Sequence, residues 1–292
     1  MTEYYWDNKV DYLRNTRGLY YNDDYLEFLV GTVWKINAPV NVIDFGYGYG
    51  YLGLKLLPLL PEGSSYTGLD RGEELIRTAR EVFRTLPYSA RFIAGDLEEL
   101  QVERKYDIAV CHAFLLHMTE PKKMLRKMID SVVDEGRVIC FEPHWITGMA
   151  GYHLEGADSS RIIPLDILQK LYEKDGARTG KDGNIGIKLP IYMSQLGLRN
   201  VQCRVSDKVN FLDQTMEQPD KEDLFRSIQA DGFAAKPGNQ EQFVRSLEKR
   251  GLTPEEARRQ YEAEVLLSGL FNMDSYLAYA PAMKISFGTV RR

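Results

Sequence analysis

Three aspartates follow short apolar segments and could bind the polar groups of one ligand. Asp44 lies near the end of "VNVIDF", Asp70 ends "SYTGLD" and Asp96 ends "ARFIAGD". An ionised carboxylate accepts hydrogen bonds from hydroxyl, amino and ammonium groups. Ligands of open α/β sheets bind outside the carboxyl ends of the strands. The spacing therefore predicts that the three acids meet at one edge of a sheet and share one ligand.

A glycine-rich turn follows the first of these acids. Gly46, Gly48 and Gly50 alternate with tyrosines, and glycines let the backbone approach a ligand closely. Counted from Gly46, a dinucleotide-binding GxGxxG would need glycine where Tyr51 stands, although Gly48, Gly50 and Gly53 have that spacing, and no GxxxxGK[ST] phosphate loop is present in the sequence. The acid beside the turn would repel a pyrophosphate and attract an ammonium group. This pattern disfavours an NAD-dependent oxidoreductase.

The other two acids suggest what the rest of the ligand carries. Asp70 falls about 20 residues after the last glycine of the turn, where an acid accepts hydrogen bonds from ribose hydroxyls. Asp96, one strand further on, could accept a proton from an adenine amino group. A ligand with an ammonium group, a ribose and an adenine, but no phosphate, satisfies all three acids. S-adenosylmethionine is such a ligand.

The elements that must position these residues alternate along the chain. Short β-branched or apolar runs predict strands, and amphipathic stretches such as "GEELIRTAREVFRTL" and "EPKKMLRKMIDSV" predict helices between them. Strands that are apolar at consecutive positions are typical of a parallel sheet covered on both faces. The sequence therefore predicts a doubly wound α/β domain.

Two further regions flank or interrupt this domain. Residues 1–38 predict an aromatic, helical N-terminal cover, and residues 39–213 with 279–292 predict the α/β domain. Residues 214–278 predict a helical insertion, because three amphipathic stripes interrupt two segments that read as the final, paired strands, "RNVQCRVSDKVNFL" and "AMKISFGTV". The insertion is interpreted either as a lid over the site or as an interface.

Composition limits the class of protein. With 292 residues, 44% hydrophobic and 27% charged, the chain is typical of a soluble globular protein. Its first residues lack a signal-peptide pattern and no run approaches the roughly 20 apolar residues of a membrane span, so we expect a cytoplasmic location and no membrane partner. A net charge of −5 argues against a nucleic-acid partner. The three cysteines, which lack metal-site spacing, predict reduced core thiols and no metal.

The motifs in their order resemble the class I S-adenosylmethionine-dependent methyltransferase family over about residues 40–145. They read "VIDFGYGYG", "YTGLD", "AGDLEEL", "YDIAVCHAFLLHM" and "EGRVICFEP". The resemblance implies a Rossmann-like, mainly parallel seven-stranded sheet, S-adenosylmethionine as the cofactor and methyl transfer to a small-molecule acceptor. The alternative left open is a non-catalytic cofactor-binding or regulatory protein with the same fold, and a homodimer is also left open.

The resemblance also implies roles for individual residues. Asp44 and the glycine turn would hold the methionine moiety, Asp70 the ribose, and Asp96 with Leu97 the adenine. The exit of the fourth strand would line the methyl-transfer side, and the N-terminal helices, with Arg17, Tyr20 and Tyr21, would fold over the cofactor. The complete predicted cofactor set is Arg17, Tyr21, Asp44, Gly46, Tyr47, Gly48, Gly50, Asp70, Arg71, Asp96, Leu97, Cys111, His112 and Ala113.

No catalytic residue is assigned from the sequence. A sulfonium is already a reactive methyl donor, so a general base is needed only when the acceptor must lose a proton. His117, His144 and His153 are the candidates for that role, the last two because they flank the loop after "FEP". Whether the acceptor atom is oxygen, nitrogen, carbon or sulfur stays open.

Overall fold

The computed structural model describes residues 4–103 and 105–292. Within them a seven-stranded sheet and a three-stranded sheet are flanked by helices. The strands, in chain order, are β1 (Asn41–Phe45), β2 (Ser65–Asp70), β3 (Ser89–Ala94), β4 (Tyr106–His112), β5 (Val132–Pro143), β6 (Tyr152–Leu154), β7 (Arg199–Val205), β8 (Asn210–Leu212), β9 (Leu277–Tyr279) and β10 (Met283–Thr289).

The large sheet has the order β3-β2-β1-β4-β5-β10-β7. Strands β1 to β5 pair in parallel, and β10 lies antiparallel between β5 and β7. Central strands such as β4 are buried along nearly their whole length, which explains their continuous apolar sequence. The predicted doubly wound, mainly parallel seven-stranded sheet is confirmed.

Helices cover both faces of this sheet and form the two flanking regions. They are, in chain order, α1 (Val10–Thr16), α2 (Asp23–Phe28), α3 (Tyr51–Leu56), α4 (Glu73–Phe83), α5 (Pro121–Ser131), α6 (Trp145–Ala150), α7 (Ser159–Ile162), α8 (Leu165–Thr179), α9 (Ile185–Gln195), α10 (Gln218–Ala230), α11 (Gln240–Lys249) and α12 (Pro254–Leu270). None of the helices in the described ranges is both long enough and apolar enough to cross a bilayer.

The segment 199–212 differs from the single strand that its sequence predicts. It forms β7 at the edge of the large sheet and then β8 in the three-stranded sheet β6-β9-β8. The second sheet joins the start of the insertion to its end, because Leu212 on β8 pairs with Leu277 on β9. Cys203 on the edge strand β7 is exposed, whereas Cys111 and Cys140 are buried, so the predicted core thiol at 203 is corrected.

The N-terminal segment packs against the insertion and its flanks. Asn22 donates hydrogen bonds from its backbone N–H and side-chain Nδ2 to the carboxylate of Asp207, at 3.1 and 2.6 Å. Asn210 Nδ2 donates to the carbonyl oxygen of Leu19 at 2.9 Å, and α1 packs on α10. Two regions that are far apart in sequence therefore form one cover beside the carboxyl edge of the sheet.

Candidate functional site

The glycine turn after β1 has the backbone conformation that its glycines permit. Gly46, Gly48 and Gly50 all have positive φ, of 71°, 62° and 92°. Side chains strain in this left-handed region, so the turn needs glycine at these positions. The turn is fixed to β2, because Gly46 N–H donates to the carbonyl oxygen of Leu69 at 2.8 Å. Gly50 then stands at the N-cap of α3.

Asp70, at the carboxyl end of β2, lies under this turn. Its Oδ2 accepts a hydrogen bond from Gly48 N–H at 2.9 Å, and its Oδ1 accepts from the N–H groups of Arg71 and Gly72 at 2.8 and 3.1 Å. Burial raises the pKa of Asp70, while these three donors oppose the shift. The carboxylate is thus held in a fixed orientation by the backbone at the sheet edge.

Asp44 is placed differently from the other two acids. Its side chain is 0% exposed and its Oδ2 accepts a hydrogen bond from Tyr66 Oη at 2.6 Å. Its Oδ1 has no hydrogen-bond partner among the described residues, and burial raises the pKa of the carboxyl to about 8. The side chain points into the core beneath the turn and does not line the ligand cavity described below.

Asp96, after β3, remains at the surface of the sheet edge. Its Oδ1 accepts a hydrogen bond from Glu98 N–H at 2.8 Å, and its Oδ2 lies 3.7 Å from the guanidinium of Arg71. The same guanidinium stacks over the ring of Tyr4, 4.4 Å from its centroid. Arg71 therefore links the third acid to the N-terminal segment, while the neighbouring Leu97 is buried.

The exit of β4 is organised by a buried carboxylate. Glu142, on β5, accepts hydrogen bonds from the N–H groups of Phe114 and Leu115 at 2.9 and 2.7 Å. Burial raises the pKa of Glu142 to about 7, against the effect of these donors. Cys111 packs beside it, its Sγ 3.5 Å from Glu142 Oε1. Ala113 at the strand exit has a positive φ of 49°, a conformation this network supports.

The N-terminal segment also reaches the exit of β4. Tyr21 Oη lies 3.2 Å from His112 Nε2, and the rings are 5.8 Å apart. Burial lowers the pKa of His112 well below its usual value, with a further contribution from the charge of Arg17, so this imidazole is neutral. Tyr20 Oη donates to Asp231 Oδ1 at 3.0 Å, and Tyr279 Oη donates to the other oxygen at 2.6 Å.

A cavity lies between the glycine turn and the N-terminal segment. Its volume is about 70 Å³. The predicted residues that line it are Arg17, Gly46, Gly48, Asp70, Leu97, His112, Ala113 and His117. It is also lined by residues that the sequence did not single out, Tyr4, Trp6, Leu13, Leu75, Phe114 and Met118. The structure thus brings seven of the fourteen residues of the predicted cofactor set to one cavity.

Several predicted residues lie next to that cavity without lining it. Tyr47 is buried against Phe92, with ring centroids 5.1 Å apart, and packs over Gly68 of β2. Gly50 starts α3, and the ring of Phe83 packs against it. These residues shape the turn from below rather than facing the cavity.

The three candidate histidines are separated. His117 lines the cavity, with its ring 5.0 Å from that of Trp6, and burial lowers its pKa to about 4. His144 lies in a different, open groove of about 630 Å³ between α5, α8 and α9, where its Nδ1 is 2.6 Å from Thr147 Oγ1. His153 is exposed beside Glu155. Among the three, His117 is the one placed at the cavity.

Two of the features that sequence reasoning missed carried a visible signal. Glu142 stands in "FEP" at the carboxyl end of β5, the position that singled out the acids of the first three strands. Tyr4 and Trp6 belong to the aromatic cluster "YYW" that opens the chain. Asp231 sits in the loop after α10, and nothing in its local sequence indicates that it meets Tyr20.

Comparisons with known proteins agree with this geometry. A family model described as a methyltransferase domain matches residues 36–160. A malonyl-[acyl-carrier protein] O-methyltransferase of Bacillus anthracis is 25% identical over 103 residues, which cover 35% of this chain and 37% of the relative. A ubiquinone biosynthesis O-methyltransferase of Rickettsia felis is 22% identical over 102 residues, which cover 35% of this chain and 41% of the relative. The chain thus spans about two fifths of the length of these curated relatives.

Solved structures share the fold at low identity. A S-adenosylmethionine-dependent methyltransferase from Geobacter sulfurreducens, in complex with S-adenosyl-L-homocysteine, superposes with a TM-score of 0.51 at 15% identity, covering 100% of both chains. The phosphoethanolamine N-methyltransferase 2 of Haemonchus contortus superposes with a TM-score of 0.54 at 12% identity, and the match covers 100% of this chain and 59% of the other. A methyltransferase-domain model thus matches residues 36–160, and the strand order with these neighbours shows that the chain has the Rossmann-like fold of S-adenosylmethionine-dependent methyltransferases.

Proposed function

We propose that this protein transfers a methyl group from S-adenosylmethionine to a small-molecule acceptor. The observation that carries the proposal is the Asp70 carboxylate. It lines the cavity between the glycine turn and the N-terminal segment and is oriented by three backbone N–H groups. A carboxylate so oriented keeps lone pairs for ribose hydroxyls. The cofactor supplies a methyl group that is already activated on a sulfonium.

The residues around Asp70 fit the other parts of the cofactor. Leu75 and Leu97 give apolar walls for an adenine ring, and the exposed Asp96 carboxylate lies at the same edge for its amino group. Gly46 and Gly48 present backbone to the cavity, as the methionine moiety requires. Asp44 supports this turn from within the core through its bond to Tyr66, so we propose an indirect role for it.

Arg17 fits the carboxylate of the methionine moiety. It lines the cavity, and no ion pair joins it to an acid within the described ranges. Its charge still acts on the site, because it lowers the pKa of His112. A guanidinium binds a carboxylate through parallel N–H donors. We therefore assign Arg17 to cofactor binding, as the sequence predicted.

Cofactor entry requires the N-terminal segment to move. The cavity volume of about 70 Å³ is well below the roughly 300 Å³ at which ligand pockets begin. Tyr4, Trp6 and Leu13 occupy the space over the glycine turn, and the segment is held at the sheet edge by Asp7, whose Oδ1 accepts a hydrogen bond from Glu74 N–H at 3.0 Å. We propose that residues 4–17 act as a lid that opens for the cofactor and closes over it.

The protein's part in the chemistry is alignment and exclusion of water. His112, Ala113 and Tyr21 form the wall at the exit of β4, and the bond from Tyr20 to Asp231 closes the cover beside it. His117 is the candidate base because it lies at the cavity, although burial, which lowers its pKa to about 4, makes the neutral imidazole a weak base at pH 7. An acceptor without a proton to lose needs no such group.

Turnover on a panel of acceptors tests the proposal. Phenols, carboxylic acids, amines and thiols are incubated with the full chain and S-adenosylmethionine, and S-adenosylhomocysteine is measured by mass spectrometry. Oxygen acceptors come first, since both curated relatives named above are O-methyltransferases. We expect acceptor-dependent product in at least one class, lost in Asp70→Ala. Cofactor binding without turnover on any class would favour the non-catalytic alternative. The cytoplasmic location and the homodimer stay predictions.

A further inference from the structure

A second cavity lies inside the helical cover, away from the cofactor. Its volume is about 350 Å³, it is partly open to solvent, and residues of α8, α11 and α12 with the loop 232–235 line much of it. It separates two apolar clusters, one around Phe233 and Leu267 and the other around Leu171 and Leu247. Protein interiors leave few voids larger than a water molecule, whereas ligand pockets start at about 300 Å³. The size of this cavity is that of a ligand site rather than of a packing defect.

Most of the wall is apolar. Rings and aliphatic groups from one strand, four helices and the loop 232–235 form it, namely Tyr152, Ile162, Leu168, Phe233, Phe243 and Leu267. The two rings Tyr152 and Phe233 are held edge to face at 4.7 Å, which keeps this side of the wall in place. A molecule that fills the cavity must therefore be mainly apolar.

One side of the cavity carries an unsatisfied acceptor. Gln260, on α12, is only 4% exposed, and its Nε2 donates to Glu264 Oε1 at 2.9 Å. Its Oε1 is buried and has no hydrogen-bond partner among the described residues. A buried acceptor without a partner destabilises the folded protein, because it has lost its hydrogen bonds to water. A donor on a bound molecule would replace one of these bonds.

The guanidinium of Arg250, which also lines the cavity, already forms an ion pair. Arg250 donates from Nε and Nη2 to Asp175 Oδ2 at 3.0 and 2.7 Å. Gln260 uses its own donor on the Glu264 carboxylate. The lining therefore offers hydrogen-bond acceptors and no unpaired cation for an anion. The Glu264 carboxyl accepts from Gln260 and burial raises its pKa, which weakens its attraction for a cation, so a neutral molecule with a donor fits the cavity best.

We propose that this cavity binds a mainly apolar, neutral small molecule that carries a hydroxyl or N–H group and donates it to Gln260 Oε1. The site shares no lining residue with the cofactor cavity, so it goes beyond the proposed methyl transfer. Phe233 stands two residues after Asp231, which accepts a hydrogen bond from Tyr20, so this cavity borders the contact that holds the N-terminal segment.

Titration of the full chain with a matched pair of probes tests the site. The probes are 4-butylphenol, which has a donor, and 4-butylanisole, in which a methyl group blocks it, and binding is followed by calorimetry. We expect saturable binding of the phenol at one site and about fivefold weaker binding of the anisole, the value of one neutral hydrogen bond. Gln260→Leu should lower the affinity for the phenol to that for the anisole, and it should leave the affinity for the anisole unchanged.

Variants in which a larger side chain fills the cavity provide the second test. Leu267→Trp should abolish binding of both probes, whereas Val265→Trp, at an exposed position two residues away on α12, should not. Phe243→Trp is a second filling variant in case the first is unstable, and melting temperature and S-adenosylhomocysteine binding report on folding. Wild-type protein that binds neither probe saturably, or filled variants that fold and bind as wild type does, would overturn the proposal. Failure to bind S-adenosylhomocysteine alone would count against the methyl transfer and not against this site.

Discussion

The carboxyl edge of the sheet and the helical cover hold their functional groups in different ways. At the edge, Asp70 and Glu142 are fixed by backbone N–H groups that belong to the strands and turns themselves. In the cover, Tyr20, Asp231 and Asn22 join segments about 200 residues apart through side-chain hydrogen bonds. Backbone networks of the first kind persist as long as the sheet is folded, whereas contacts of the second kind can open locally.

This difference suits the sheet edge and the helical cover to different roles. A preorganised edge suits cofactor recognition, which is the same in each turnover, while a cover that opens suits entry of the cofactor and choice of the acceptor. The small cavity over the glycine turn agrees with this division, since the groups that fill it come from the N-terminal segment. Changes in the cover should therefore alter rates and acceptor use, and changes at the edge should alter cofactor affinity.

The largest effect is expected when the insertion is removed. Leu212 pairs with Leu277, so the ends of the insertion lie close together and a short Gly/Ser linker can replace residues 214–275. We expect turnover on the native acceptor to fall by at least about a hundredfold, because the acceptor is no longer aligned. S-adenosylhomocysteine affinity should stay within a few-fold of wild type, as measured by calorimetry.

The point variant Arg245→Ala, on the surface of α11, is the matched control for that deletion and should keep full activity. A deletion variant that folds and retains turnover would show that the insertion does not select or align the acceptor.

A smaller effect is expected at the edge. Asp70→Ala should weaken S-adenosylhomocysteine binding by about 10- to 100-fold, which corresponds to the 1.5–3 kcal/mol typical of hydrogen bonds to a charged group. Asp24→Ala, at an exposed acid on α2, serves as the control in the same titration. An Asp70 variant that melts like wild type and binds as tightly would remove Asp70 from the ribose site.

The smallest effect concerns the lid. Trp6→Ala should raise the association rate of S-adenosylhomocysteine by about three- to tenfold in stopped-flow fluorescence, because less of the segment must leave the cavity before binding. Tyr5 is 64% exposed, so Tyr5→Ala should leave the rate unchanged. Equal rates in wild type and the Trp6 variant would mean that the segment does not gate entry.

The sequence predicted the large sheet well because its central strands, such as β1, β4 and β10, are apolar and mostly buried. It did not predict the small sheet, since β6, β8 and β9 have three residues each and carry no readable pattern. The acids at the sheet edge followed from strand ends, yet the direction of Asp44 did not. Successive residues of a strand face opposite sides, and Asp44 shares the side of Val42, which packs in the cluster around Tyr66.

The contacts of the cover could not be predicted in the same way. Tyr20 and Asp231 are 211 positions apart, and a tyrosine or an aspartate in a helical or loop segment has many partners within its reach. The N-terminal aromatic residues indicated a packed segment, but only the folded chain shows that Tyr4 and Trp6 reach the glycine turn. Local patterns determine strands and turns, whereas such long-range pairs depend on how the whole chain packs.

Calorimetric titration of the wild-type chain with S-adenosylhomocysteine and, separately, with NAD tests the central claim most directly. The claim is that the acids at the carboxyl edge and the glycine turn form a site for an adenosyl cofactor with an amino-acid tail and no phosphate. We expect one S-adenosylhomocysteine to bind per chain, and NAD to produce no binding heat. Tighter binding of NAD than of S-adenosylhomocysteine would contradict the account.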